Sequence, residues 1–257
     1  MNKTIDYITR KSMLYPTSVE YGDYCMNHIE CCPHNCSYCY AYMLKRRIGK
    51  VHSRYEWAKP RLVINTLSLL EREIPRLKNK IDTVQLCFAT DPFPYGGYPE
   101  ITEMTIDAIA MLNNAGIKCS ILTKGVLPVG QLASLSRENI YGITLISLDE
   151  EFRKQVEPGA APVAERLASL KALHDAGCMT WVSIEPYPTP NVHSQNLHEL
   201  LEAIKFVDKI VFGRWNYSKE ISTYPYHKEF YNEAANYVLE YCRVNGIACH
   251  IKEGTLS

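Results

Sequence analysis

The chain has 257 residues, 46% hydrophobic and 22% charged, with 28 basic and 28 acidic side chains cancelling to zero net charge. That much apolar chain suits one large buried core and excludes a disordered segment, and the neutral balance gives no global attraction to nucleic acid or anionic membrane. No uncharged apolar run is long enough to span a bilayer, and the opening MNKTIDYITR lacks the apolar stretch of a secretory leader, so a cytoplasmic protein in a reducing environment is expected.

In chain order, a first strand is predicted over residues 24–30, running into Cys31-Cys-Pro-His-Asn-Cys-Ser-Tyr-Cys-Tyr40. Cys32, Cys36 and Cys39 are spaced so that three thiolates of one short loop can hold three irons of a cubane cluster. The fourth iron is then left for a small chelating molecule. A tetrahedral zinc site is the competing reading, with His28, His34, Cys25 or Cys31 as its fourth ligand. In a reducing compartment clustered cysteines bind metal more often than they pair. The other seven cysteines form no second pair at ligand spacing, which argues against an additional cluster-binding domain. Between residues 45 and 61 stand Lys45, Arg46, Arg47, Lys50, Arg54, Lys59 and Arg61 against one acid, Glu56, with Tyr55 and Trp57 interleaved. Such a stretch either tracks phosphates and stacks bases or is a solvated helix face with its loop.

Past this loop one unit repeats: a β-branched apolar run, a loop, an amphipathic helix, then glycine. Gly116, Gly177 and Gly246 are predicted to close helices, because glycine accepts the left-handed conformation. Cys119, Cys178 and Cys249, just beyond them, read as small core residues. Strands are predicted over 82–89, 118–123, 142–148, 179–185 and 209–213, with a candidate last strand over 247–252. Helices are predicted near 62–74, 101–114, 129–135, 161–176, 196–206 and 228–244. Alternating strands and helices imply a parallel sheet with right-handed crossovers. Six such units predict an α/β fold, an incomplete (β/α)6 TIM-like barrel with a short C-terminal extension. The whole of 1–257 reads as one domain, with the core barrel at about 20–215 and the C-terminal helix and candidate strand in 216–257. In such barrels chemistry gathers at the carboxyl ends of the strands, where the cysteine loop falls.

Each further strand end offers a candidate. The second runs into Ala89-Thr-Asp-Pro-Phe-Pro94, where Thr90 and Asp91 suit an ammonium group, or Asp91-Pro92 simply makes a turn. After the third stands Lys124, a point charge for a bound carboxylate. The fourth contains Ser147. Arg166 on the following helix is a carboxylate partner or an exposed charge, and Glu185 after the fifth strand suits ribose hydroxyls. Arg214, Trp215, Tyr217, Tyr224 and Tyr226 form a second polar–aromatic cluster that suits the open side of the barrel.

The order of these blocks resembles the radical S-adenosylmethionine (SAM) enzymes. Tyr7 to Leu14 (YITRKSML), the loop ending Tyr-Cys-Tyr-Ala41, Trp57-Ala-Lys-Pro60, Leu70-Glu-Arg-Glu73, Ala89-Thr-Asp-Pro-Phe93, Leu122-Thr-Lys124 and Glu157-Pro-Gly-Ala160 with Arg166 look like the branch containing spore photoproduct lyase and relatives from mobile gene pairs. The resemblance covers roughly the first two thirds, to about residue 187. It implies a [4Fe–4S] cluster on Cys32, Cys36 and Cys39 and SAM contacted by Tyr38, Thr90, Lys124, Ser147 and Arg166. It implies reductive cleavage of SAM to a 5′-deoxyadenosyl radical that takes hydrogen from a substrate, in an oxygen-sensitive enzyme fed by a low-potential flavodoxin or ferredoxin. Nucleic acid or a nucleotide is one substrate class; a peptide, a protein or a small metabolite is the alternative. A non-catalytic zinc or iron–sulfur binding module is the remaining one. Two departures stand out. The lyase uses a second-strand cysteine to return hydrogen to its product; Cys87 lies one residue before the matching place, and one residue along a strand reverses the face, so that role is not assigned to it. Residues 185–190 read Glu-Pro-Tyr-Pro-Thr-Pro where relatives carry isoleucine-proline-glycine. No residue is assigned as catalytic.

Overall fold

The computed structural model describes residues 5–18 and 20–257, so the first four residues of the opening segment lie outside the described residues. Short strands come first: β1 (Asp6–Ile8), β2 (Leu14–Pro16), β3 (Tyr24–Met26) and β4 (Ile29–Glu30). After the cysteine loop come helix α1 (Tyr40–Arg47), the single turn α2 (Arg54–Trp57) and β5 (Arg61–Val63). From there the elements are α3 (Thr66–Leu77), β6 (Thr83–Leu86), α4 (Pro99–Asn114), β7 (Lys118–Thr123), α5 (Val129–Leu132) and β8 (Ile140–Thr144). Then follow α6 (Glu150–Val156), α7 (Val163–Asp175), β9 (Met179–Tyr187), α8 (Leu197–Ala203), β10 (Lys209–Arg214), α9 (Lys219–Ser222), α10 (His227–Asn245) and β11 (Ala248–Ile251).

The main sheet has eight strands in the order β11-β10-β9-β8-β7-β6-β3-β2. Every pairing from β3 to β11 is parallel, and only β2 runs antiparallel, against β3. Parallel neighbours need a crossover, and the long helices α3, α4, α7 and α10 supply covers for one face. In α4, Ile101, Thr105, Ala108, Ile109 and Leu112 are buried at helical spacing and form the inward stripe. Gly116, Gly177 and Gly246 have φ of +79°, +79° and +68°, as the predicted helix ends require. Cys119 and Cys178 are buried in the core, and Cys249 is half-buried against it. The result is an α/β fold with a mostly parallel sheet, consistent with a partial barrel. With β11, the candidate last strand, the main sheet holds seven parallel strands among the described residues.

Several boundaries differ from expectation: the second strand is 83–86 rather than 82–89, and near the start of the chain partners distant in sequence redraw two more. The first strand stops at Met26, and Ile29–Glu30 turn away to pair with β5. Residues 61–63, expected to begin a helix, lie extended between β1 and β4 in a separate three-stranded sheet. The helix therefore starts at Thr66, and the Asn65 side chain bonds the Arg10 backbone instead of capping. The fourth strand is 140–144 rather than 142–148. At its centre a Cβ on Gly142 would lie 2.4 Å from Trp181 Nε1, so glycine lets the β9 indole pack across β8.

Candidate active site

The cysteine loop is held on every side by backbone hydrogen bonds. Cys32 N–H donates to Trp57 C=O (2.9 Å), Ser37 N–H to Val156 C=O (2.8 Å), and Gly159 N–H to His34 C=O (3.0 Å). Arg54 donates to the Cys36 and Ser37 carbonyls at 2.6 and 2.7 Å while lying 3.9 Å over the Tyr42 ring. Cys31 and Asn35 bend the chain with φ of +63° and +50°. Cys39 ends the loop and begins α1, its Sγ accepting from Tyr42 N–H at 3.4 Å. The Glu157-Pro-Gly-Ala160 segment fits underneath only because Gly159 is bare: a Cβ there would stand 2.2 Å from Pro33 O. A loop pinned this tightly presents its side chains in fixed positions.

Those side chains face a cavity of about 350 Å³ at the carboxyl ends of the parallel strands. Cys32, Cys36 and Cys39 line one wall, with Tyr38 between them. Thr90 after β6, Lys124 after β7, Thr144 at the end of β8, Ser183 and Glu185 on β9, Arg214 on β10 and Lys252 beyond β11 line the rest. Five buried polar atoms without a hydrogen-bond partner among the described residues belong to residues lining it: Asn35 Oδ1, Trp57 Nε1, Gln85 Oε1, Thr144 Oγ1 and His34 Nδ1, the last 3.2 Å from Asp91 Oδ2. Buried polar atoms are normally paired, so this concentration marks a space shaped for a polar ligand. Burial pushes the thiol of Cys36 up to about 12 and that of Cys32 well above its ordinary value. For Lys124 burial opposes the charge, but Cys36, Glu157 and Asp91 outweigh it and hold its pKa above the usual lysine value. Its charge is thus held on the same lining as the three cysteines.

Behind this wall lies a second layer. Tyr38 donates its hydroxyl to Glu157 Oε1, and Arg166 Nη2 donates to Glu157 Oε2 at 2.8 Å. Arg166 and Glu157 are each 1% exposed, and the same guanidinium donates to Thr144 C=O (2.8 Å) and Ala161 C=O (2.9 Å). Burial, then the Glu157 charge, lifts the Tyr38 phenol far above its ordinary range. Arg166 is thus neither an exposed helix charge nor a lining residue. Ser147 also stands off the cavity lining: β8 ends three residues before it, and its Oγ accepts from Asp149 N–H (3.0 Å) and lies 3.1 Å from His193 Nε2. Asp91 is a staple. Its carboxylate accepts from Phe93 N–H, Thr123 Oγ1 and Lys124 N–H at 2.9, 2.6 and 2.8 Å. Burial works against that charge, but His34 and these bonds hold its pKa below the ordinary aspartate value. Thr90 donates to Ile29 C=O at 3.2 Å and keeps its hydroxyl on the lining.

The four candidates for a fourth zinc ligand have other partners; Cys25, on β3 and off the cavity lining, accepts from Asn27 Nδ2 at 3.9 Å. His28 is fully buried between Thr105 Oγ1 (2.7 Å) and Cys87 Sγ (3.4 Å). His34 Nε2 accepts from Tyr95 N–H at 2.9 Å, and its Nδ1 faces Asp91 Oδ2 at 3.2 Å. Cys31 packs with Trp57 and Tyr42 away from the lining, its Sγ 3.8 Å from Arg61 Nη2. Among the described residues no three His, Cys, Asp or Glu side chains converge on a single metal ion. Cys32, Cys36 and Cys39 all lie on the cavity lining, and three thiolates are the donor set that a cluster with one open position would use. Cys87 was set aside on strand alternation, yet it lines the cavity. β6 ends at Leu86, and Cys87 follows with φ of +51°, so alternation no longer governs where it points. Gln85, Thr144, Tyr21 and Lys252 are lining residues that no motif marks; Gln85 and Thr144 lie on strands, Tyr21 precedes β3 and Lys252 follows β11.

Comparison with known proteins agrees with this geometry. The sequence profile of the radical SAM superfamily matches residues 26–207. A spore photoproduct lyase complexed with dinucleoside spore photoproduct superposes with a TM-score of 0.70 at 14% identity, covering 95% of this chain and 80% of that one. SuiB of Streptococcus suis bound to S-adenosylmethionine gives 0.52 at 16% identity, covering 70% and 40%. Protein ORF301 of Acidianus two-tailed virus is 25% identical over 218 residues, 77% of this chain and 71% of that protein.

Proposed function

This chain belongs to the radical SAM superfamily and is an enzyme whose family implies a [4Fe–4S] cluster and SAM, and on that premise we propose that Cys32, Cys36 and Cys39 hold the cluster and that its open iron takes SAM. When bound, the pair supplies reductive cleavage of SAM and abstraction of a hydrogen atom from substrate. The observation that carries the reading is that three cysteines and Lys124 line one cavity with unpartnered polar atoms.

The roles of the chain's own residues follow from their positions. Lys124 neutralises the SAM carboxylate as a point charge. Thr90 offers a hydroxyl to its ammonium group. Tyr38 lies 5.6 Å from Lys124 Nζ by its ring centroid and packs edge-on against Trp215, so its ring makes an apolar side wall. Arg166 acts through Glu157, which fixes the Tyr38 hydroxyl. Ser147 acts, in this reading, only through the turn that leads β8 into α6. The barrel at about 20–215 and the segment 216–257 are read as one domain, because Arg214 and Lys252 contribute to the same cavity.

For substrate we favour a nucleic acid or nucleotide. The cavity lining includes Tyr40, Phe88 and Tyr217, the last 83% exposed with φ of +60°, beside the cations Arg214 and Lys252. Aromatic faces beside cations suit a base and its phosphate, and the lyase that shares the fold is complexed with a dinucleoside. No helix is long and apolar enough to cross a membrane among the described residues. The test is anaerobic reconstitution followed by assay of iron, sulfide and 5′-deoxyadenosine. Four irons with four sulfides and SAM cleavage are expected; one zinc without sulfide rejects the reading. Deuterium transfer from labelled oligonucleotide or peptide pools into 5′-deoxyadenosine identifies the substrate class.

A further inference from the structure

The side of α1 that faces away from the cavity carries a combination the site does not use. Leu44 and Ile48, one turn apart, are 55% and 65% exposed. Around them stand Lys45, Arg46, Arg47 and Lys50, none with a carboxylate within 4 Å among the described residues. The neighbouring cations are different. Arg54 is committed to the cysteine loop, Arg61 pairs with Glu30 at 3.1 Å, and Lys59 sits 4.1 Å over the Tyr55 ring. Cations in a last helical turn favour the helix dipole, which accounts for the charge but not for the two exposed aliphatic side chains.

We infer that this face of α1 is the docking surface for an acidic one-electron carrier protein that reduces the metal site, an inference that rests on the radical SAM reading above. Charge complementarity points to the acidic partner: four basic side chains lie within six residues, of which only the half-buried Lys45 lies in the field of a carboxylate, Glu30, among the described residues, in a molecule whose net charge is zero. Position points to the electron. Cys39 caps this helix, and at about 1.5 Å of rise per residue Leu44 stands only about 7.5 Å further along its axis. The carrier gives up one electron and the metal site gains one for each SAM cleaved, with no bond made to the docking residues. A nucleic acid strand is the poorer occupant. Leu44 and Ile48 offer neither a ring face nor a donor, whereas an aliphatic centre ringed by arginine and lysine is the make-up of a protein contact. Substrate, moreover, enters at the cavity mouth, where α1 contributes its first turn, Tyr40 and Ala41.

The experiment compares two reductants on the reconstituted full chain: a purified acidic flavodoxin and dithionite. Charge reversal at Lys45→Glu, Arg46→Glu and Arg47→Glu together is expected to lower flavodoxin-driven 5′-deoxyadenosine release at least about tenfold at low salt. Its salt dependence should disappear, while the dithionite-driven rate and iron content stay at wild-type values. Leu44→Asp, at an exposed position, should reproduce the flavodoxin defect. Flavodoxin-driven rates unchanged in both variants overturn the proposal. So does a parallel fall with dithionite, which makes α1 a structural support. It is equally overturned if the triple variant loses affinity only for a labelled single-stranded oligodeoxynucleotide. Flavodoxin binding, followed by fluorescence anisotropy, tests the surface without turnover. A wild-type protein that binds flavodoxin but never cleaves SAM with dithionite refutes the cofactor reading and leaves the docking surface standing; loss of that binding in the triple variant is the supporting result.

Discussion

Replacing Arg166 by alanine separates a structural guanidinium from a cofactor contact. In the wild type its charge is matched by Glu157 at 2.8 Å, with both side chains 1% exposed. Removing one partner of such a buried pair costs about 3–5 kcal/mol, because the other charge stays desolvated. The carbonyls of Thr144 and Ala161 lose their donor as well, at about 1 kcal/mol each. The total of about 5–7 kcal/mol is a large share of the 5–15 kcal/mol by which domains are stable. At about 2–4 °C per kcal/mol for a chain of this size, the melting temperature should fall by roughly 10–28 °C. Far-UV circular dichroism of the cluster-free protein measures it, with no cofactor present. Arg166→Leu with Glu157→Leu removes both charges and should recover most of the loss, since well-packed apolar replacements of a buried pair are near neutral. Tyr38→Phe should cost about 1–3 kcal/mol by leaving Glu157 one hydrogen bond short. An Arg166→Ala protein that melts within about 2 °C of wild type, yet no longer binds SAM, refutes this reasoning and makes the guanidinium a direct cofactor ligand.

Cys36→Ala should abolish both iron loading and SAM cleavage; full iron content with turnover would contradict the ligand set. Lys124→Met should weaken SAM binding at least about tenfold, read by equilibrium dialysis of the reconstituted protein, with the iron content and melting temperature retained; unchanged affinity removes the lysine from the site. His28 should make the fold acid-sensitive. Burial lowers its pKa from 6.5 to about 3, so the folded state keeps it neutral while the unfolded chain protonates it. The stability contribution is therefore full above pH 6.5 and is lost as pH falls toward 3, reaching about 1.4 kcal/mol by pH 5.5 at 1.36 kcal/mol per unit. Urea titrations of the cluster-free protein at pH 7.5 and 5.5 should show that loss, and His28→Gln should reduce the pH slope by the same amount; an equal slope in the variant refutes the assignment.

What the sequence made legible is what local chemistry decides. Three cysteines within eight residues must share a loop, and Gly116, Gly177 and Gly246 must end helices wherever those helices lie. The small sheet β1-β5-β4 was illegible because its strands have two or three residues each, too few for a period, and it is defined by partners some 30 to 55 residues apart. Arg166 was ambiguous for a similar reason. A helix residue points inward or outward according to the phase of the helix, and here a carboxylate nine residues earlier on a loop decides it. Glu157 stood out only as part of a motif; no spacing rule says that its two oxygens divide between an arginine and the tyrosine of the cysteine loop.

Cys87 lines the cavity and Ser147 does not, the reverse of where the drawn strands put them, and one cause accounts for both. Cys87 is excluded by counting faces along a strand drawn to residue 89, and Ser147 is included because the fourth strand is drawn to residue 148. Alternation holds only while the backbone stays extended, and both strands stop early, at Leu86 and at Thr144. Beyond Leu86 the chain enters the left-handed region and turns Cys87 onto the lining; beyond Thr144 it leaves toward α6 and carries Ser147 away, while Thr144 itself remains on the lining with an unpartnered hydroxyl. In a parallel barrel the site is assembled from the residues at which strands terminate. Its composition therefore depends on strand length more than on strand face. A motif fixes the first of these residues, and the register of the sheet fixes the others.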